Sequence, residues 1–181
     1  MNLWHDLQPQ RVHPENFVCV IEISKGSKMK YELDKETGCL ILDRVLYTST
    51  VYPANYGFIP RTYADDNDPL DVLVLCSESI IPLTLVACYP IGVLKMIDGE
   101  RQDEKIIAIP FSDPMYNAYA NLSELPAHVS EEISHFFEVY KMLEHKKTTI
   151  QEVCGRSEAI RIIEKCLLHY RQLISQEKQE V

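Results

Sequence analysis

Near the middle of the chain, Asp65-Asp66-Asn67-Asp68-Pro69-Leu70-Asp71 gathers four carboxylates and runs at once into the apolar stretch Val72-Leu73-Val74-Leu75. At an effective dielectric near 20, two like charges about 6 Å apart repel by roughly 2–3 kcal/mol. A fold that brings several of these acids together therefore needs positive charge among them. Pro69 steers Asp68 away from helical angles, and side chains alternate along an extended chain. Asp66 and Asp68 are thus expected on one side, about 6.6 Å apart, with Asp71 at the head of a strand. Hard oxygen donors without His or Cys suit magnesium or manganese. The rival reading is an acidic surface turn, since Asp, Asn and Pro are turn residues in their own right. A calcium-binding EF-hand loop does not fit, because counting from Asp66 leaves Leu70 and Asp71 at its fifth and sixth places.

The rest of the chain narrows the class. Its length of 181 residues suits one domain, 1–181, with a sizeable core, and no repeat or low-complexity tract interrupts it. The N-terminus has no apolar signal-like run, and no uncharged stretch is long enough for a bilayer span. The expected location is the cytoplasm. A net charge of −9 opposes nucleic acid or an anionic membrane as partner. The cysteines, 19, 39, 76, 88, 154 and 166, form no C-x-x-C pair and read as buried free thiols. The histidines show no ligand spacing.

Along the chain, residues 17–24 read as a strand in which Glu22 closes a row otherwise made by Val18 and Val20. Residues 29–33 and 40–44 flank the turn Lys35-Glu36-Thr37-Gly38 as a β-hairpin. Lys30 and Glu32 share a face there, and Arg44 falls in line with Leu40 and Leu42. Such strand charges are either solvated or part of a site. Residues 51–63 read as an ordered loop, whose Tyr52 and Tyr56 can donate to an anion or simply pack. Strand 71–76 follows, then an apolar run from Leu83 to Met96 broken near Tyr89-Pro90. A second acidic cluster, with Asp98 and Asp103, leads into strand 106–109. The remainder reads as helical: 126–145 with its stripe Val129, Ile133, Phe136, Phe137, Tyr140 and Leu143, then 158–175, then a frayed tail from 176 to 181. Many short strands followed by two helices predict an α+β domain built on a small β-barrel.

Asp66-Asn67-Asp68-Pro69-Leu70-Asp71-Val72 resembles the signature of the soluble family I inorganic pyrophosphatases. Lys30-Tyr31-Glu32, Asp43-Arg44, Tyr52-Pro53-Ala54-Asn55-Tyr56-Gly57, Gly92-Val93-Leu94-Lys95-Met96 and His135 to Lys141 resemble further family segments in the same order. The resemblance runs from about residue 14 to 145. It implies a five-stranded OB-like barrel with flanking C-terminal helices and, for compact bacterial-type chains, a homohexamer. It implies hydrolysis of pyrophosphate to two phosphates with Mg²⁺, three to four ions per site, Mn²⁺ being a possible substitute.

By the same resemblance, Asp66, Asp71, Asp98 and Asp103 bind metal, Glu22 and Glu32 serve as outer-shell acids, and Asp68 is the general base. Lys30, Arg44, Tyr56, Lys105, Tyr140 and Lys141 bind substrate, with Tyr52 in support. These acids carry much of the chain's excess negative charge. One position departs: the family has an acid directly after the residue matched by Asp98, and here it is Gly99. That implies a looser third-metal region unless Glu100 or Glu104 compensates. The alternatives are a two-metal phosphohydrolase of another small phosphate, or a non-catalytic OB-like binding module.

Overall fold

The computed structural model describes residues 2–177. It contains nine strands: β1 (Val12–His13), β2 (Asn16–Ile23), β3 (Met29–Leu33), β4 (Leu40–Val45), β5 (Asn55–Phe58), β6 (Asp71–Val74), β7 (Leu85–Asp98), β8 (Arg101–Pro110) and β9 (Thr148–Gly155). Two α-helices, α1 (Ala127–Val139) and α2 (Arg156–Glu177), complete it. The sheet order β1-β2-β5-β6-β8-β7-β9 gains an extra β2–β7 pairing. Strands β2, β5, β6, β8 and β7 therefore close into a five-stranded ring, the OB-like barrel expected. The β3–β4 hairpin forms a separate sheet beside it.

Local chemistry explains how the ring closes. Gly57 is required on β5 because an added Cβ would stand 1.8 Å from the Val20 carbonyl oxygen on β2. Buried Asn55 accepts from the amides of Lys25 and Ile80 at 3.0 and 2.8 Å and donates to the Glu78 carbonyl at 3.1 Å, so its polar atoms are satisfied while it ties three segments. The loop expected over 51–63 thus contains a barrel strand, whose Gly permits close approach of β2 and whose Asn ties neighbouring segments. Most of the run from Leu83 to Met96, expected to break near Pro90, lies in one long strand, β7. The interruption appears as a register shift between Pro90 and Gly92, where proline has no amide to give the ladder.

Strand β9 lies in residues read from sequence as a connection within a helical remainder. It pairs along Gly92–Asp98 of β7, so tertiary pairing overrides a weak local signal. Helix α1 is shorter than expected: it gives way to a 3-10 turn, Met142–Glu144, closed by His145 at φ +57°. Leu143, placed on the packed stripe by periodicity, is consequently exposed. Helix α2 runs through Gln176 and Glu177, where fraying was expected; the rest of that tail, 178–181, lies outside the described residues. Cysteines 19, 88 and 166 are buried, but Cys39 is exposed and Cys76 and Cys154 are half-buried, all of them free thiols. Among the described residues no helix is long and apolar enough to cross a membrane.

Two apolar layers line the ring's opposite faces. One packs Cys19, Ile21, Val72, Val74, Ile106 and Ala108 against Ile162, Ile163 and Cys166 of α2. The other packs Tyr56, Leu73, Ile107, Leu94 and Met96 against Ile133, Phe136 and Phe137 of α1. Both acidic clusters flank the α1 side.

Candidate active site

Parallel pairing of β6 with β8 sets Asp71 beside Lys105. Asp103 lies two residues before Lys105 and so shares its face. The buried Lys105 ammonium donates to Asp71 Oδ2 at 2.5 Å and to Asp103 Oδ1 at 2.6 Å, and the Tyr56 hydroxyl donates to Asp71 Oδ2 at 2.5 Å. Burial pulls the Lys105 pKa down, but Asp103 and Asp71 overcome that pull and hold it well above the usual value. Burial also raises the Asp71 carboxyl, against the pull of Lys105. Lys141, just past α1, pairs with Asp98 at the end of β7.

The acidic stretch is not extended. Asn67 takes φ +72°, a left-handed conformation that Asn tolerates. The Asp68 amide donates to Asp66 Oδ1 at 3.1 Å, the Ala64 amide donates to the Asp68 carbonyl at 2.8 Å, and Tyr63 hydroxyl donates to Asn67 Oδ1 at 2.9 Å. The expected strand-like alternation of Asp66 and Asp68 gives way to a tight turn, because side-chain capping competes with extension. Both acids nevertheless face the same cavity. Burial, with Asp71 nearby, lifts the Asp66 carboxyl to about 6.

That cavity, about 550 Å³, brings together Glu22, Lys30, Glu32, Tyr52, Tyr56, Asp66, Asp68, Asp71, Asp98, Asp103, Lys105, Tyr140 and Lys141. Glu22 accepts from the Leu33 amide at 2.7 Å, and burial pushes its carboxyl up to about 8. Burial likewise raises the phenols of Tyr52, Tyr56 and Tyr140, so they stay protonated donors. Arg44 is the one residue of the expected set that does not line the cavity. It stands behind Asp43, with which it pairs, and its Nε donates to Glu144 Oε1 at 2.7 Å. Sequence reading missed Asp34, Lys35, Asp43 and Phe137 as lining residues; Lys35 was read as part of a turn and Phe137 as core.

Nine carboxyls and four ammoniums stand in the cavity wall. The donors are all oxygen, which suits a hard divalent cation. Among the described residues no three acids are drawn close enough to hold one ion between them; ammonium groups answer several of them instead. Gly99, where an acid was expected, sits in the β7–β8 turn at φ +64° with open space around it. The turn favours glycine there for its backbone, which is a fold reason for the missing acid.

Comparison with known proteins places these features. A family model described as inorganic pyrophosphatase matches residues 19–171. Soluble inorganic pyrophosphatase 2 of Chlamydomonas reinhardtii is 47% identical over 169 residues, covering 93% of this chain and 88% of its own. The solved inorganic pyrophosphatase of Helicobacter pylori superposes with a TM-score of 0.87 at 41% identity, covering 92% of this chain and 99% of the other. That of Thermus thermophilus gives 0.86 at 35%, covering 94% and 99%. Agreement of this depth across nearly the whole length, in sequence and in fold alike, makes the chain a member of the inorganic pyrophosphatase family and an inorganic diphosphatase.

Proposed function

We propose that the domain spanning 1–181 hydrolyses inorganic pyrophosphate to two phosphates in a Mg²⁺-dependent reaction, with Asp68 as general base. The observation that carries this reading is the excess of carboxyls over ammoniums in the cavity wall. A diphosphate is itself a polyanion, so such a wall accepts it only together with divalent cations. Asp66, Asp71, Asp98 and Asp103 would hold the ions, three to four in number and replaceable by Mn²⁺, with Glu22 and Glu32 behind them. When bound, these ions supply positive charge against the phosphoryl oxygens and lower the pKa of the attacking water.

The chain's own groups do the rest. Asp68, at the rim and more than half exposed as a side chain, is placed to accept the proton of that water. Lys105, Lys141 and Lys30 present ammoniums, and Tyr56 and Tyr140 present hydroxyls, to the oxygens where charge spreads in the transition state. Tyr52 supports this wall, its ring 5.3 Å from that of Tyr56. Arg44 reaches a phosphoryl oxygen only by leaving Asp43, and its planar fork suits a two-point grip. The working form is a homohexamer in the cytoplasm, and the partners are pyrophosphate and phosphate rather than nucleic acid or membrane.

The test is phosphate release from pyrophosphate and from ATP, with and without Mg²⁺, by the natural protein and Asp68→Asn. The expected result is Mg²⁺-dependent turnover of pyrophosphate, reduced by about 10²–10⁴-fold in the variant. Robust turnover of ATP with none of pyrophosphate would overturn it.

A further inference from the structure

Lys35 belongs to none of the roles assigned above. It sits in the turn between β3 and β4 at the mouth of the cavity, and its ammonium pairs with Asp68, the proposed base. At 42% exposure, its side chain is the most accessible of the cavity's lysines, against 19% for Lys30, 13% for Lys141 and 4% for Lys105. Those three are sunk deeper in the wall, Lys105 held by two carboxylates, Lys30 by two and Lys141 by one. An exposed ion pair such as Lys35–Asp68 is held weakly and exchanges partners at little cost.

The lysine is not left to wander. Its ammonium lies 5.0 Å from the ring centroid of Trp4, a cation–π distance. The Lys35 carbonyl accepts from Asn2 Nδ2 at 2.9 Å, and Asn2 Oδ1 accepts from the Trp4 amide at 2.9 Å. Trp4 is itself anchored: it is buried, and its indole N–H donates to the Thr62 carbonyl at 2.8 Å. A segment ahead of residue 19, where the family match begins, thus fixes both the backbone and the side chain of Lys35 against the active-site rim.

We propose that Lys35 is a further substrate-binding residue and Trp4 its positioning residue. When a diphosphate enters, Lys35 exchanges the Asp68 carboxylate for a phosphoryl oxygen. The exchange adds a cation at the substrate's outer end and leaves Asp68 with a free oxygen at the moment it must accept a proton. The inference rests on the reading of this cavity as the diphosphate site.

Trp4 is the chain's single tryptophan, so the exchange carries its own reporter. The natural protein and Lys35→Met, Lys35→Arg and Trp4→Phe variants are assayed for KM and kcat on pyrophosphate in Mg²⁺. All but Trp4→Phe are also titrated with methylenediphosphonate while Trp4 fluorescence is read. The expected result is a saturable change in Trp4 emission that Lys35→Met abolishes. KM should rise about 3- to 10-fold in Lys35→Met, as for loss of one charge-assisted contact, with a smaller part of the loss in kcat. Lys35→Arg should recover most of the affinity, and Trp4→Phe should shift KM in the same direction by less. An unchanged KM in Lys35→Met, or an emission change that survives it, overturns the inference while the diphosphatase stands. A natural protein that neither binds the diphosphonate nor hydrolyses pyrophosphate overturns the reading beneath it.

Discussion

The two faces of the barrel are built from the same strands yet carry opposite electrostatics. On β6, Val72 and Val74 join the layer under α2, while Asp71 and Leu73 alternate onto the α1 side. On β8, Ile106 and Ala108 go to α2 and Lys105 and Ile107 to α1. Under α2 the charges stay at the rim: Lys165 bonds Asp65 at 2.6 Å, and Lys95 and Arg161 both hold Glu158. On the α1 side Asp71, Asp103, Lys105 and Glu22 are drawn inward. The same residue type therefore shifts in opposite directions. Hydrogen bonds from Arg161 and Lys95 take Glu158 down to about 2, whereas burial takes Glu22 up to about 8. One face keeps its ion pairs at the surface, and the other keeps carboxyls and an ammonium buried together.

The sharpest way to break this contrast is Lys105→Met. Removing the ammonium leaves Asp71 and Asp103 facing each other in a buried site. The metal-free protein should lose about 3–5 kcal/mol in urea unfolding, and pyrophosphate turnover should collapse. A loss below about 1 kcal/mol would place Lys105 in the same class as an exposed pair.

A smaller effect is expected from pH. Glu22 ionises with greater difficulty in the folded chain than in the unfolded one, so its folded state holds the proton more tightly. The stability it contributes is present in full below pH 4.5 and is lost as pH rises through about 8. Thermal melts in chelator should therefore fall across that interval, and Glu22→Gln should flatten the fall. A slope indifferent to the substitution would remove Glu22 as its cause.

The smallest effect belongs to the other face. Lys165→Met removes a half-exposed pair with Asp65 and should cost about 0–1 kcal/mol, with KM for pyrophosphate unchanged. A marked rise in KM would show that the α2 rim, through Asp65, holds the neighbouring acidic turn in place, and the two faces would no longer be separable.

How much of this was legible beforehand varies by segment. The acidic run and the apolar residues after it announced a strand headed by a carboxylate, since the alternation from Asp71 to Val74 is local. The shape of the turn before it was not legible, because Asn67's left-handed angle and the Asp66 cap on the Asp68 amide are choices among local minima that packing settles. Strand β9 was invisible for a related reason: Thr148–Gly155 becomes a strand by pairing with β7, a partner far away in sequence. Arg44 matched its expected segment but stands behind Asp43, and Glu144, which holds it, lies 100 residues on.

The sequence by itself determined which chemistry was available: hard carboxylate donors, lysines and phenols, on strands whose period of two assigns each side chain to a face. Only the tertiary structure decided which of those groups meet. The parallel register of β6 and β8 sets Asp71 against Lys105, the end of α1 brings Lys141 to Asp98, and the docked Trp4 sets Lys35 at the rim. Periodicity is a property of neighbours along the chain, whereas register and docking are fixed by burying distant surfaces together.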